Sequence, residues 1–408
     1  MAAPPDADVL IAGAGMAGTT LALALASGGL KAVLIDPQPF EAQCAPTFDG
    51  RASAISFAAF RQWRALGAAA FLEPHAQRIE QIVVSQGGGP GLLRFDAGEI
   101  AERNSGEPLG YMLENRRIRS GLAQAIAAAG IEVLAPQRVV ALDSQAAGAR
   151  LTLDGGRTLT APLVVGADGR GSLIRRAAGI ATFGWAYGQS GVVATVTVER
   201  DHQGVAYEHF LPAGPFAILP LTQRRVSLVW TENTAREEAL RGASPAVFAA
   251  HLARRFGAFL GRLRVVGPRF VYPLSLQLAE RLTAPRVALL GDAAHAIHPI
   301  AGQGLNMGLK DAAALAQVLI EAVRLGEDVG DAAVLDRYAR WRGLDNVGVA
   351  LATDLFTRLF SNGHPAVRLA RGAGMAMVGA VGPARRFFMH EAGGATGDLP
   401  RLLRGEAL

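Results

Sequence analysis

The chain has 408 residues, half of them apolar, with one cysteine and a formal net charge of +5. That length admits a large core in two or three joined lobes, while the lone Cys44 excludes an intramolecular disulfide and any multi-cysteine metal site. The basic residues are nearly all arginine, with Lys31 and Lys310 the only lysines, and they form no cluster interleaved with aromatics, which argues against a nucleic-acid partner.

Val9 to Leu30 is uncharged over the length of a membrane span. Asp6 and Asp8, however, stand where a signal peptide is basic, and Gly13, Gly15 and Gly18 interrupt the run. It reads instead as a strand, a glycine turn and a helix, followed by a second strand, Lys31 to Ile35, that ends in Asp36. This is the dinucleotide-binding pattern: Gly13 for the tight turn, Gly15 for approach of a diphosphate, Gly18 for helix against strand, and Asp36 for a ribose diol. Asp36 suits adenosine with a free 2′-hydroxyl, as in FAD or NAD.

Further along, the apolar run from Leu163 ends in Asp168-Gly169 and turns into a helix by Arg175. Asp168 or Ser172 reads as an N-cap, and Asp168 equally as a second polar strand end beside the same pocket. Between about Ala177 and Pro285, runs such as Gly191 to Glu199 and Arg225 to Thr231 predict strands.

The most informative stretch is Arg286 to Gly308. Val287 to Leu290 reads as a central strand, and Gly291 turns the backbone so that Asp292 stands at the strand's carboxyl end, where open α/β sheets bind ligands. After Pro299 come Gly302, Gly304 and Gly308, then apolar positions at helical spacing. A helix is predicted to begin near Gly304 to Asn306, with free N–H groups aimed at an anionic ligand. His295 reads as a structural hydrogen-bonding residue, and His298, beside Pro299, as a substrate contact or proton relay. The last third mixes Arg358, Arg368, Arg371, Arg385 and Arg386 with Phe356, Phe360, Phe387, Phe388 and Met389, which suits an anionic membrane surface or packing against the body of the protein.

Three of these strings, GAGMAG at 13–18, ADGRGS at 167–172 and GDAAH at 291–295, resemble in order and separation the flavin motifs of the class A flavoprotein monooxygenases. Asp49 to Ser56, Gly110 to Arg116, Phe210 to Leu221 and His298 to Asn306 further resemble the ubiquinone-biosynthesis hydroxylases within that class. The likeness covers essentially the whole chain.

The resemblance implies an α/β protein of the para-hydroxybenzoate hydroxylase fold: a Rossmann-like FAD-binding domain, an interleaved β-sheet substrate domain and C-terminal helices. The expected division is 1–75, 100–178 and 283–325 for FAD, 76–99 and 179–282 for the substrate sheet, and 326–408 for the helical region. Carried over by position, Gly13, Gly15 and Gly18 hold the diphosphate, Asp36 the ribose, Gly291 and Asp292 the ribityl chain, and Gly302, Gln303, Gly304, Leu305 and Asn306 the flavin N1 edge. Asp168 serves FAD and a passing nicotinamide. Arg51 and Arg116 are further candidates, or else partners of surface carboxylates. His298 and Pro299 are the candidates nearest the reacting ring, and no metal is expected.

The implied chemistry is hydroxylation of a polyprenylated phenol in ubiquinone biosynthesis, with O2 and NADH or NADPH, through a flavin C4a-hydroperoxide. No second glycine fingerprint follows a strand, so NAD(P)H would dock transiently. Phe210, Phe216, Ile218 and Leu219 are expected to line an apolar cavity. A cytoplasmic protein is expected, with peripheral attachment to the inner membrane or membership of a biosynthetic complex open. The alternatives are a hydroxylase of a small soluble aromatic, which would call for a charged clamp, and a non-catalytic flavin-fold scaffold.

Overall fold

The structure, a computed structural model, describes residues 4–86, 93–100, 106–298, 302–360 and 364–408, the last without the side chains of 365–370. Its first sheet is built from short apolar runs. Val287–Leu289, Leu163–Gly166, Val9–Ala12, Ala32–Ile35 and Glu132–Leu134 lie side by side in that order, all parallel, with Thr283–Ala284 antiparallel at one edge. Central parallel strands are buried on both faces, which is why 9–12 and 163–166 show no polar alternation.

Val9 and Ile11 point to one side, into a core shared with Leu21 and Leu25 of the helix Met16–Ser27 and with Leu315 and Leu319 of the helix Gln303–Arg324. Leu10 and Ala12 point to the other, against Leu151 and Leu159 of a three-stranded antiparallel sheet. The parallel sheet is thus covered on both faces, and its strand ends are left for ligands.

An eight-stranded sheet takes its strands from Gln81–Gln86, Leu93–Asp96, Thr182–Val198, Val205–Leu211, Gly214–Leu221, Arg225–Asn233, Leu263–Ala279 and His295–Ala296. Its outer face packs Val192, Phe216, Ile218, Leu228 and Trp230 against Phe248, Leu252 and Phe256 of the helix Pro245–Phe256. Its inner face turns toward a small antiparallel sheet of Ala52–Ser56, Gly110–Glu114 and Gln77–Ile79, where Ala206 and Leu221 join the main core, and toward the C-terminal helices, where Phe210 meets Phe360 and Met375.

This corrects one expectation. Neighbouring side chains on a strand point to opposite faces. Phe216 and Ile218 therefore sit in the outer core beneath the helix, and only Phe210 and Leu219 of the expected four face inward.

The C-terminal aromatic and basic set is also divided. Phe360 and Met389 are buried, Arg385 pairs with Glu99, and the buried Arg371 donates to Gln86 Oε1 at 3.0 Å and to the Leu359 and Phe360 carbonyls. The side chain of Arg368 lies outside the described residues. Phe356, Phe387 and Phe388 face solvent, as does a stripe of Leu344, Val347, Leu351 and Leu355 along one side of the helix Ala332–Phe360, Leu344 being 86% exposed. No helix among the described residues is long and apolar enough to cross a membrane.

Candidate active site

At the carboxyl ends of the parallel strands the three glycine-bearing turns converge. Gly13 has φ +109° and lies so close to the neighbouring strand that a Cβ there would stand 2.3 Å from the Ala167 carbonyl oxygen. A Cβ on Gly18 would stand 2.2 Å from the Gly13 oxygen, so these two glycines serve close packing. Gly15 differs: nothing lies within 4 Å of its Cβ position, and it is the N-cap of the helix Met16–Ser27 with no side-chain acceptor. Open space above a helix N-terminus is what an approaching diphosphate requires.

Asp36 ends the next strand. Its Oδ2 accepts from the Ala14 N–H and its Oδ1 from the Gln38 N–H, both at 2.8 Å, so the acid also fastens the glycine turn. Burial raises its pKa, partly offset by those two amides.

Asp168 caps the helix, one of the two parts foreseen for it. Its Oδ2 accepts from the N–H groups of Leu173 (2.7 Å) and Ile174 (3.2 Å), while Ser172 caps the same short helix through the Arg175 N–H. Its Oδ1 is buried and has no protein partner, which leaves one acceptor for a ligand hydroxyl.

Gly291, at φ +57°, turns the chain out of the strand Val287–Leu289 into a short 3-10 turn through Ala293, on which the Asp292 carboxylate is solvent-exposed. Gly291 and Gly308 pack so tightly that a Cβ on Gly308 would stand 3.1 Å from the Gly291 Cα. Gly302, in the left-handed region at φ +64°, is the N-cap of Gln303–Arg324, without a side-chain acceptor. This helix starts at Gln303, slightly ahead of the predicted Gly304 to Asn306, because a left-handed glycine closes the turn. Gln303, Gly304 and Leu305, all partly exposed, supply its first N–H groups.

The Asn306 side chain is spent on the scaffold. It accepts from the Ser56 N–H at 3.0 Å and donates to the carbonyls of Ala54 (2.9 Å) and Gly302 (3.3 Å), clamping the strand Ala52–Ser56 to the turn.

Arg51 reaches the same region. It forms a two-pronged pair with the buried Asp49, 2.9 Å at each contact, lies over the Tyr272 ring and feels the charge of Asp292. Burial works to raise the Asp49 carboxyl, but Arg51 and Asn115 outweigh it and hold the group well below the usual carboxylate range. Arg116 bonds Glu114 at 3.0 Å, and Glu114 also accepts from Arg225 at 3.1 Å.

His298 is fully buried, edge-on to Tyr187 with ring centroids 5.2 Å apart, and desolvation lowers its pKa to about 4. Pro299 lies outside the described residues. His295 has the structural role foreseen: its Nε2 donates to Asp311 Oδ2 at 2.5 Å. Sequence reasoning passed over Asp311, which also accepts from the Gly291 N–H (3.2 Å), Arg342 Nε (2.8 Å) and Asn346 Nδ2 (3.1 Å). The only sequence sign was a lone acid among the apolar residues of a buried helix. Among the described residues no His, Cys, Asp and Glu group could hold a metal.

The open approach at Gly15, the unshared Asp168 oxygen, the outward Asp292 and the uncapped helix at Gly302 fit an extended dinucleotide flavin. The profile of the FAD binding domain family matches residues 6–344. The chain is 46% identical to ubiquinone hydroxylase UbiL of Rhodospirillum rubrum, across 98% of this chain and 94% of that protein. It is 36% identical to 3-demethoxyubiquinol 3-hydroxylase of Escherichia coli, across 90% and 93% respectively. Its fold matches the crystal structure of p-nitrophenol 4-monooxygenase PnpA from Pseudomonas putida DLL-E4 with a TM-score of 0.79 at 21% identity, across 94% of this chain and 97% of that one. A glycine-turn pocket made for FAD and relatives of this similarity lead to one assignment: the chain belongs to the class A FAD-dependent aromatic monooxygenases, in their ubiquinone-biosynthesis hydroxylase family.

Proposed function

We propose that the chain hydroxylates the aromatic ring of a polyprenylated phenol, with NADH or NADPH as reductant and O2 as oxygen source. The observation that carries the substrate class is the chemistry of the sheet's inner face. Phe210 packs against Phe360 with the rings tilted by 35° and their centroids 3.9 Å apart, and Leu219 and Ala217 continue the apolar lining. A small aromatic acid would need a cation there, but Arg225 is engaged by Glu114, and Arg371 by Gln86 and two carbonyl oxygens. The lining favours a greasy ring over the rival soluble substrate.

FAD, when bound and reduced, supplies the activation of O2, and the protein supplies position and a dry site. In this reading Gly15 and the helix behind it receive the diphosphate, Asp36 the adenosine ribose, and Asp292 and the free Asp168 oxygen the hydroxyls between. The N–H groups of Gln303, Gly304 and Leu305 face the flavin's electron-rich edge, where a helix N-terminus stabilises negative charge by roughly 0.3–2 kcal/mol. Arg51 holds positive charge near Asp292, Arg116 supports the scaffold through Glu114, and His298 stays a neutral, buried imidazole behind Tyr187.

The enzyme works at a membrane surface in this proposal. The Leu344, Val347, Leu351 and Leu355 stripe, flanked by the exposed Arg340 and Arg358, has the mixture that rests on anionic lipid. The test is product analysis by mass spectrometry: FAD-loaded protein given NAD(P)H and O2 should add oxygen to a prenylated phenol and leave 4-hydroxybenzoate unchanged. Hydroxylation of the soluble acid alone would overturn the assignment.

A further inference from the structure

The inner face of the eight-stranded sheet carries one acid. Glu208 lies on the strand Val205–Leu211 between Ala206, which joins the main core, and Phe210, which meets the C-terminal helices. Alternation along the strand puts all three on the same side, so Glu208 shares the inner face with Ala206 and with Phe210 of the Phe210–Phe360 pair. Its partners across the sheet are Ala217 and Val84, neither able to bond it. Among the described residues no hydrogen bond or ion pair reaches its carboxyl, although the residue is only partly exposed. A carboxylate left without a partner in such a place is costly to the fold, and a role in the reaction accounts for it.

We propose that Glu208 is the catalytic base that accepts the proton of the substrate's phenolic hydroxyl, an assignment that rests on the phenol reading above. The phenolic O–H bond breaks, an O–H bond to a Glu208 carboxyl oxygen forms, and the electron pair stays on the ring oxygen as phenolate. That charge spreads to the ring carbons beside and opposite the oxygen, where an electrophilic oxygen adds most readily. Glu208 then returns the proton to water at its open side.

The surroundings suit this role. Burial alone pushes the Glu208 carboxyl up to about 7, where a general base works best at neutral pH. Among the described residues, three ionisable groups on the elements packed around it are engaged elsewhere. His209 points to the opposite face and bonds Ser85, Arg371 holds Gln86 and the Leu359 and Phe360 carbonyls, and Asp354 is held by Tyr187 and Arg358.

The test compares the FAD-loaded wild type with Glu208→Gln and Glu208→Asp on a short-chain prenylated phenol in detergent. Hydroxylated product and hydrogen peroxide are measured per NAD(P)H from pH 5 to 9, beside FAD content and Tm. Glu208→Gln should keep FAD and Tm, lose about 100-fold or more in product kcat, divert reducing equivalents to peroxide, and lose the acid limb near pH 7; Glu208→Asp should restore part of the rate. A Gln variant with wild-type kcat/KM and an unaltered acid limb overturns the role of Glu208 alone. A wild type whose kcat/KM is flat between pH 6 and 8 overturns it too, even if the Gln variant fails to fold. A wild type that hydroxylates no prenylated phenol removes the substrate reading, and this proposal with it.

Discussion

His295 and Asp311 meet at 2.5 Å where neither side chain touches water. The same carboxylate holds the Gly291 N–H and Arg342, and Arg342 continues to Asp345, which also binds Lys310 at 2.8 Å. One acid on the helix Gln303–Arg324 therefore fastens the turn that presents Asp292 to the helix Ala332–Phe360.

Replacing this acid should be expensive. Asp311→Asn takes a fully buried carboxylate away from Arg342, leaving it only the partly exposed Asp345, and a loss of about 3–5 kcal/mol is expected. Burial tends to raise the Asp311 carboxyl, but His295 and Arg342 prevail and its pKa is lowered. Its contribution is then complete above the unfolded carboxylate pKa of about 4 and is lost as pH falls toward the lower folded value. Urea denaturation as a function of pH would show it; equal midpoints for variant and wild type at pH 7 would refute the structural role.

The two glycines of the first turn should separate folding from binding. Gly13→Ala forces a side chain at φ +109° into the Ala167 carbonyl and should destabilise the protein by about 2–5 kcal/mol. Gly15→Ala meets open space, so Tm should hold, with stability within about 0.5 kcal/mol of wild type. Its methyl group intrudes where the diphosphate is proposed to lie, and FAD affinity should fall about tenfold or more, about 1.4 kcal/mol. Fluorescence titration of the apoprotein reads this directly, and unchanged affinity would remove Gly15 from the cofactor contacts.

Asp292→Ala should behave similarly for a different reason. The side chain is exposed and makes no hydrogen bond among the described residues, so unfolding should be little affected. Loss of a charge-assisted hydrogen bond to the ribityl chain should weaken FAD by about 1.5–3 kcal/mol. A drop in Tm without a change in FAD affinity would mean that Asp292 supports the turn and not the cofactor.

A second acid transition belongs to His298. Desolvation lowers its pKa from 6.5 to about 4, so the folded state resists a proton that the unfolded chain accepts. Stability is full above about pH 6.5 and declines as pH falls to about 4, by up to about 3 kcal/mol. His298→Phe should flatten that stretch and leave the transition below pH 4, due to Asp311, in place. Parallel curves for the variant and wild type between pH 6.5 and 4 would contradict the assignment.

Much of the site was legible because each glycine turn is local: the strand before it, the acid after it and the helix beyond lie within a few dozen residues. Gly13, Gly15, Gly18, Asp36 and the turn at 302 could be placed from spacing alone. The Asp311 to Arg342 contact could not, since it depends on how two helices face each other across 31 positions. Phe216 and Ile218 were misplaced because a string of apolar residues does not reveal that both faces of its strand are covered. Asp168 shows a third limit: spacing does not reveal that one carboxylate oxygen caps the helix while the other is buried without a hydrogen-bond partner among the described residues.

The strand Gly214–Leu221 separates two kinds of sensitivity, residue by residue. Phe216 and Ile218 anchor the outer core, and Ala217 and Leu219 look inward. A substitution scan along it should carry a two-beat rhythm, in which even positions set how much protein survives in the cell and odd positions decide which molecules it will oxidise.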